Sequence, residues 1–80
     1  MRIDKYLKVS RLIKRRTVAS SACGGERVSV NGKPVKASYQ VKPGDVIEIA
    51  FGQRTLRVRV TDVSETVRKE DAVNMYEEIP

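Results

Sequence analysis

Apolar residues at the start of the chain recur with the period of a helix. Ile3, Tyr6 and Leu7 are spaced by three and four residues, which places them on one face of a helix predicted over residues 1–13. Asp4 falls in the first turn, where a carboxylate suits the positive end of the helix dipole. The pattern predicts an amphipathic first helix with its charged residues outside the apolar stripe.

A second helix is predicted after it, with Thr17 as its N-cap. Gly24 and Gly25 are expected to end this helix by supplying a left-handed C-terminal conformation. Its inner face is predicted to carry small or apolar residues that allow close packing: Val18, Ala19, Ala22 and Cys23. Cys23 is interpreted as a buried packing residue. A reactive thiol is the alternative, although the chain has no histidine to activate it.

From residue 27 the apolar period changes to two, which is the period of a half-buried strand. Residues 27–30 and 33–35 flank Asn31-Gly32, a pair typical of a tight hairpin because both residues tolerate positive φ. Pro34 indicates a sheet edge or the start of the returning strand. These residues therefore predict a short β-hairpin.

Two further strands are predicted over residues 46–50 and 56–60. A turn at residues 42–45 precedes them, with Pro43 preset for its second position. The last strand is expected to point three apolar side chains inward: Leu56, Val58 and Val60. Residues 68–79 are predicted to form a weak acidic helix with an apolar stripe of Ala72, Val73 and Tyr76.

This order of elements predicts an α+β fold: an N-terminal αα-hairpin packed on a small twisted antiparallel β-sheet, followed by a weak C-terminal helix or tail. Eighty residues suit one domain. One cysteine and no histidine exclude an internal disulfide, a Cys/His zinc site and a histidine general base. No segment approaches the ~18 apolar residues of a membrane span. We therefore expect a cytoplasmic protein without a cofactor or a membrane partner.

Positive charge is concentrated at the start of the chain. Residues 1–44 carry a net charge of +9 and residues 45–80 carry −3, within a total of +6. Seven cations of the first helical region repel one another unless an anion binds: Arg2, Lys5, Lys8, Arg11, Lys14, Arg15 and Arg16. Thr17 at a helix N-terminus would add a hydroxyl and free amides that suit phosphate. A phosphate-binding surface is predicted, with a solvated helix face as the alternative.

Further polar residues could extend this surface. Lys33 and Lys36 flank the hairpin return, and Tyr39 follows them. Tyr39 would stack on a base or ribose, or would instead pack in the core. A Walker-type phosphate loop is absent, and the carboxylates of Asp45 and Glu48 alone do not define a catalytic site. Binding is therefore expected rather than catalysis.

Four segments in order resemble the S4 RNA-binding domain, named after small-subunit ribosomal protein four. They are RIDKYL near the start, Arg16 three residues before Ala19, VSVNGK, and VKPGDVI. The resemblance covers residues 2–49, inside a domain assigned to residues 1–62 that precedes an acidic extension at residues 63–80. It implies an αα-hairpin on a small sheet, with a basic helical face that binds structured RNA.

The resemblance also implies roles for particular residues. Those at or near the RNA are Arg2, Asp4, Lys5, Arg16, Thr17, Lys33 and Ser38. Asp4 is expected to hold a basic partner in place, and the turns are formed by Asn31, Gly32, Gly44 and Asp45. The chain departs from the family pattern at Arg15, where Ser is usual, and at Glu26, where Gly is usual. A shifted end of the second helix is therefore expected.

A free-standing domain of this size with the segment VSRLIKRRT resembles the short bacterial RqcP (YabO) family and, more distantly, the fifteen-kilodalton heat-shock protein. This resemblance implies a factor that binds large-subunit ribosomal RNA and peptidyl-tRNA on stalled subunits. We expect it to be a monomer without enzymatic activity. It would support a protein partner that adds alanine tails to stalled chains. An acidic set is expected to face away from RNA: Asp62, Glu65, Glu70, Asp71, Glu77 and Glu78.

Three other functions remain open from the residues alone. The chain could be a constitutive structural or assembly protein of the ribosome. It could be an RNA-independent adaptor for an acidic protein or an anionic membrane surface, although it lacks the large apolar face of an interfacial helix. It could also regulate an RNA outside the ribosome.

Overall fold

Two helices precede an antiparallel sheet in the computed structural model, which describes residues 1–64 and 69–80. The helices are α1 (Ile3–Val9) and α2 (Arg16–Gly24). The strands are β1 (Val28–Val30), β2 (Lys33–Pro34), β3 (Val46–Phe51), β4 (Arg54–Val60) and β5 (Tyr76–Ile79). Their order across the sheet is β2-β1-β3-β4-β5. The predicted α+β class is confirmed, with five described strands where four were expected.

The first helix is shorter than predicted, because it ends at Val9 and not at residue 13. Ser10 is its C-cap, and Arg11 takes a left-handed φ of 65° that turns the chain away from the helix axis. The second helix begins at Arg16, with Arg15 in extended conformation as its N-cap. The prediction of Thr17 as N-cap is therefore wrong, and Thr17 lies inside the first turn.

The end of α2 also differs from the prediction. Gly25 has a φ of −87°, and the left-handed residue is Glu26, with a φ of 60°. The Arg27 N–H donates to the Ala22 carbonyl at 2.9 Å, and the Glu26 N–H donates to the Cys23 carbonyl at 3.1 Å. These two bonds form a Schellman motif, in which the residue with positive φ is usually glycine. The chain thus places a glutamate where glycine is easiest, and neither Gly24 nor Gly25 supplies the turn.

The inner faces of the helices and the sheet form one small aliphatic core. Ala19, Ala22 and Cys23 of α2 are buried as predicted, but Val18 is exposed, so its assignment to the inner face is wrong. Burial raises the pKa of the Cys23 thiol, with a smaller contribution from the Asp4 carboxylate. The raised pKa favours the protonated thiol and agrees with a packing role. In β4, Val58 and Val60 are buried and Leu56 is half-buried.

The predicted turns are present. Asn31 and Gly32 have φ values of 52° and 87°, which fits the tight hairpin between β1 and β2. At residues 42–45, the Asp45 N–H donates to the Lys42 carbonyl at 3.1 Å, and Gly44 has a φ of 96°. Pro43 followed by a glycine with positive φ is the pattern of a type II turn.

The predicted C-terminal helix is present as a short 3₁₀ helix, but the last four residues of the predicted span form a strand instead. A 3₁₀ helix, Lys69–Met75, leads into β5, which pairs with β4 from Val60–Tyr76 to Arg57–Ile79. Arg68 of the predicted helix lies outside the described residues. The backbone groups of β5 form their hydrogen bonds with β4, which is a contact that a local sequence pattern does not indicate. No helix in the described residues is long and apolar enough to cross a membrane.

Tyr6 connects α1 to this C-terminal segment. It is fully buried, and its hydroxyl donates to the Met75 carbonyl at 2.7 Å. The N–H of Thr61 donates to the same carbonyl at 2.9 Å. Burial raises the pKa of Tyr6, with smaller contributions from Tyr76 and Asp62. One buried carbonyl therefore joins α1, the end of β4 and the start of β5.

We predict that Tyr6→Phe lowers the free energy of unfolding by about 1–2 kcal/mol, because the buried carbonyl loses a donor. Urea denaturation followed by circular dichroism measures this loss. Because the pKa of Tyr6 is raised, its neutral form contributes stability below pH ~10, and that contribution falls as the pH rises further. The Tyr6→Phe protein should lack this alkaline component. A variant as stable as the wild type at neutral pH would contradict the anchoring role.

We predict that Glu26→Gly raises the free energy of unfolding by about 1 kcal/mol, because glycine adopts positive φ without the steric cost that a side chain brings. Glu26→Ala is the matched control, since alanine removes the charge but keeps the steric cost of positive φ. Equal stabilisation by both variants would assign the effect to charge rather than to conformation.

Candidate nucleic-acid interface

A buried carboxylate organises the basic residues of the two helices. Asp4 Oδ1 lies 3.3 Å from Arg2 Nε, and Asp4 Oδ2 lies 3.4 Å from Arg16 Nε. Each guanidinium also directs Nη2 to the second carboxylate oxygen, at 3.3 Å for Arg2 and 3.5 Å for Arg16. The Lys5 backbone N–H donates to Oδ1 at 2.8 Å. Asp4 therefore holds both arginines side by side.

The exposure of these three side chains shows what the cluster presents to solvent. The Asp4 side chain is 5% exposed, whereas those of Arg2 and Arg16 are 47% and 48% exposed. A guanidinium has five N–H donors, and each arginine directs two of its nitrogens to Asp4. The remaining donors of both guanidiniums are available to an anion. The cluster carries a net charge of +1.

The loop at residues 36–40 packs against the start of α1. The Ile3 N–H donates to the Tyr39 carbonyl at 2.8 Å, and the Asp4 N–H donates to the Ala37 carbonyl at 3.3 Å. These bonds satisfy amides that a helix N-terminus leaves free. They also bring Lys36 and Ser38, both exposed, next to the arginine pair. The structure thus joins residues that lie more than thirty positions apart in the sequence.

A second buried carboxylate holds the other side of this loop. Asp45 accepts hydrogen bonds from Asn31 Nδ2 at 3.2 Å, from the Tyr39 hydroxyl at 3.0 Å and from the Lys42 N–H at 3.2 Å. Burial, together with the hydrogen bond to Asp45, raises the pKa of Tyr39. The Tyr39 ring is half-buried against the core, as the packing alternative requires. Asn31 and Asp45 hold two turns together, and Gly32 and Gly44 supply the positive φ values.

The other predicted cations are spread around this centre. Lys5 is half-buried on α1, and Lys33 lies on the edge strand β2. Four exposed cations follow along the end of α1 and the turn into α2: Lys8, Arg11, Lys14 and Arg15. None of these four forms an ion pair with a carboxylate of residues 1–64 or 69–80. Thr17 is exposed in the first turn of α2, beside Arg16.

Two arginines of β4 form ion pairs with carboxylates of the sheet. Arg59 Nη1 lies 3.3 Å from Glu77 Oε1, and Arg57 Nε lies 3.9 Å from Glu48 Oε2. Glu77 and Glu78 lie on β5, at the opposite edge of the sheet from Lys33 on β2. Asp62, Glu70 and Asp71 are exposed, and Glu65 lies outside the described residues. The sheet therefore separates positive from negative charge.

Metal ions and apolar ligands are the other ligand classes that the described residues can be tested against. No group of three His, Cys, Asp or Glu side chains within the described ranges is arranged to hold a metal ion. An open groove lies between α2 and the end of β3, with Val18 and Phe51 exposed at its rim. The groove was not predicted, because the apolar period placed Val18 on the inner face of the second helix and assigned no role to Phe51.

Comparisons with known proteins agree with this geometry. The family model described as S4 domain matches residues 1–47, which span both helices and continue into β3. A Bacillus subtilis protein named RQC P-site tRNA stabilizing factor is 53% identical over 76 residues, covering 95% of this chain and 88% of the relative. A protein of the same name from Halalkalibacterium halodurans is 56% identical over 77 residues, covering 96% of this chain and 88% of the relative.

The heat shock protein 15 group is more distant in sequence. A homologue from Aeromonas salmonicida is 37% identical over 65 residues, covering 81% of this chain and 49% of the relative. The solved trimeric structure of Vibrio cholerae heat shock protein 15 superposes with a TM-score of 0.91 at 29% identity. The superposition covers 99% of this chain and 81% of the Vibrio cholerae protein. The fold is thus shared with the Vibrio cholerae protein.

We predict that Asp4→Asn lowers the free energy of unfolding by about 1–3 kcal/mol, because the two guanidiniums lose a buried anionic acceptor. Glu77→Gln makes the same chemical change in an exposed ion pair and should cost at most about 1 kcal/mol. Urea denaturation of both variants measures the difference. Equal losses in the two variants would show that the burial of Asp4 adds nothing to the free energy of unfolding.

Proposed function

The chain belongs to the S4 domain family, and we propose that it is a non-enzymatic ribosome quality-control factor that binds large-subunit ribosomal RNA and tRNA. The observation that carries the proposal is the pair of half-exposed arginines held by the buried Asp4. The shared name of the close relatives supports tRNA in the ribosomal P site as one ligand.

The arginine pair suits the phosphate backbone of folded RNA. A planar guanidinium donates two parallel hydrogen bonds to phosphate oxygens, and Asp4 restricts both side chains before RNA arrives. Less conformational freedom is then lost on binding. The exposed cations around the pair add attraction that does not depend on RNA sequence. Recognition would therefore rely on RNA shape and phosphate positions.

The separation of charge gives the bound protein an orientation. In this proposal residues 1–62 form the RNA-binding domain, with Lys33, Lys36 and Ser38 beside the helical region. The acidic extension at residues 63–80, including β5, faces away from RNA because phosphate repels its carboxylates. That outer surface would meet the protein partner that adds alanine tails. We expect a cytoplasmic monomer, which analytical ultracentrifugation can test against the trimer described for the Vibrio cholerae relative.

We predict that Arg16→Ala weakens binding to a structured RNA by about tenfold or more, while Arg16→Lys loses less because it keeps the charge. Both proteins should stay folded, since Asp4 retains Arg2 as a partner. Fluorescence anisotropy over a range of salt concentrations measures the affinity. With about six phosphates contacted, the slope of log K against log salt should be about −4 to −5. Unchanged affinity in folded Arg16→Ala, or a slope near zero, would contradict the interface.

A sedimentation experiment tests the ribosomal role. Wild type and Arg16→Ala are added to purified large subunits that carry peptidyl-tRNA, to the same subunits after release of that tRNA, and to intact ribosomes. We expect the wild type to sediment with the first preparation at the highest occupancy and the variant to remain unbound. Equal occupancy on all three preparations would indicate a constitutive ribosomal protein. Binding that survives RNase would indicate a protein adaptor.

A further inference from the structure

The groove between α2 and β3 has a volume of about 260 Å³ and an apolar floor. Ile13, Ala22 and Ile49 form this floor and are otherwise buried. Val18 and Phe51 stand at the rim, 52% and 45% exposed, and are the large apolar residues that the described chain leaves most open to water. The space is smaller than the ~300–1,000 Å³ of drug-sized ligand sites, so it suits one planar ring or one side chain.

Polar groups line one side of the same groove. The hydroxyls of Thr17 and Ser21 lie four residues apart on α2, so they share a face of the helix with the rim. Arg27 completes this side. Its position is set by the left-handed Glu26 and by the hydrogen bond from the Ala50 N–H to the Arg27 carbonyl, at 2.9 Å.

Positive charge surrounds the opening. Arg54 is the direct partner of Phe51 across the β3–β4 turn, and side chains of directly paired residues point to the same face of a sheet. Neither Arg27 nor Arg54 forms an ion pair with a carboxylate in the described ranges. The groove is also continuous with the basic segment at residues 10–17, because Ile13 and Thr17 belong to both.

We propose that this groove binds one unstacked nucleobase of the RNA held by the basic surface, with the base against Phe51. Thr17 and Ser21 would hydrogen-bond the edge of the base, and Arg27 and Arg54 would hold the adjoining phosphates. This inference rests on the proposed function and adds to it a contact with unpaired RNA. The arginine pair at Asp4 recognises phosphate, whereas the groove recognises a base that has left the stack.

A nucleobase fits the groove better than the apolar side chain of a protein partner. An apolar side chain would cover the floor of the groove but would form no hydrogen bond with the hydroxyls of Thr17 and Ser21. A base presents donors and acceptors along its edge and carries a phosphate to the neighbouring cations. An aromatic ring at the rim also favours a flat partner, since base–aromatic stacking contributes to binding with little dependence on sequence.

The test uses three RNAs with the same stem: one with a four-nucleotide loop, one with the four loop bases removed to leave abasic sugars, and one closed as a plain duplex. We expect the wild type to bind the looped RNA roughly tenfold more tightly than the abasic RNA. Phe51→Leu should lose this ratio and Phe51→Tyr should keep it. Thr55→Ala, on the opposite face of the same hairpin, should leave the ratio unchanged. All variants should bind the duplex as the wild type does.

The possible results separate the two proposals. If the wild type binds the looped and abasic RNAs equally, with the salt dependence described above, the groove proposal is overturned and the phosphate interface stands. An apolar side chain of a protein partner then becomes the better candidate to occupy the groove. If Phe51→Leu keeps the full ratio, the base contact lies elsewhere and the groove proposal is again overturned. If no RNA binds at all, the proposed function fails together with the groove.

Discussion

The buried carboxylate of Asp4 is the contact on which the arrangement of both helices depends. A carboxylate removed from water is costly unless it is paired and hydrogen-bonded. Here two guanidiniums and one backbone N–H surround it, one arginine preceding α1 and the other beginning α2. The pairing reduces repulsion among the cations of α1, α2 and the turn that joins them. It also leaves both arginines facing solvent, so one interaction serves packing and anion binding together.

Local backbone conformation determines how the rest of the positive charge is presented. Arg11 and Glu26 take left-handed φ values at the ends of α1 and α2, where most side chains are strained. The segment SRLIKRRT therefore forms a turn and an extended residue before α2, and not a continuous helix. Its cations point out from a compact turn beside the arginine pair. The left-handed conformation of Glu26 likewise turns the chain after α2, so that Arg27 lies beside that helix.

The C-terminal residues complete the sheet and separate the charges. Tyr6 holds the Met75 carbonyl inside the core, and β5 then pairs along β4. The carboxylates of β5 lie at the edge opposite β2, and Glu77 pairs with Arg59. Arg57 and Arg59 of the sheet are paired with carboxylates, whereas Lys8, Arg11, Lys14 and Arg15 of the helical region form no ion pair within the described residues. A small chain with a thin core thus gains an oriented electrostatic field from the order of its strands.

The amino-acid sequence was enough to predict the fold class, the two turns with positive φ, the strands β1 to β4 and the excess of positive charge in the first half. These features follow from period, from turn residues and from counting charges, all of which are local. Only the three-dimensional structure showed that Tyr76–Ile79 form a strand, at which residue each helix ends, that Val18 is exposed and that Asp4, expected to hold one basic partner, holds both Arg2 and Arg16. The strand and the contact between Asp4 and Arg16 depend on groups distant in sequence, and a local pattern carries no record of such partners. The helix ends depend on left-handed conformations at Arg11 and Glu26, two residue types that do not signal positive φ.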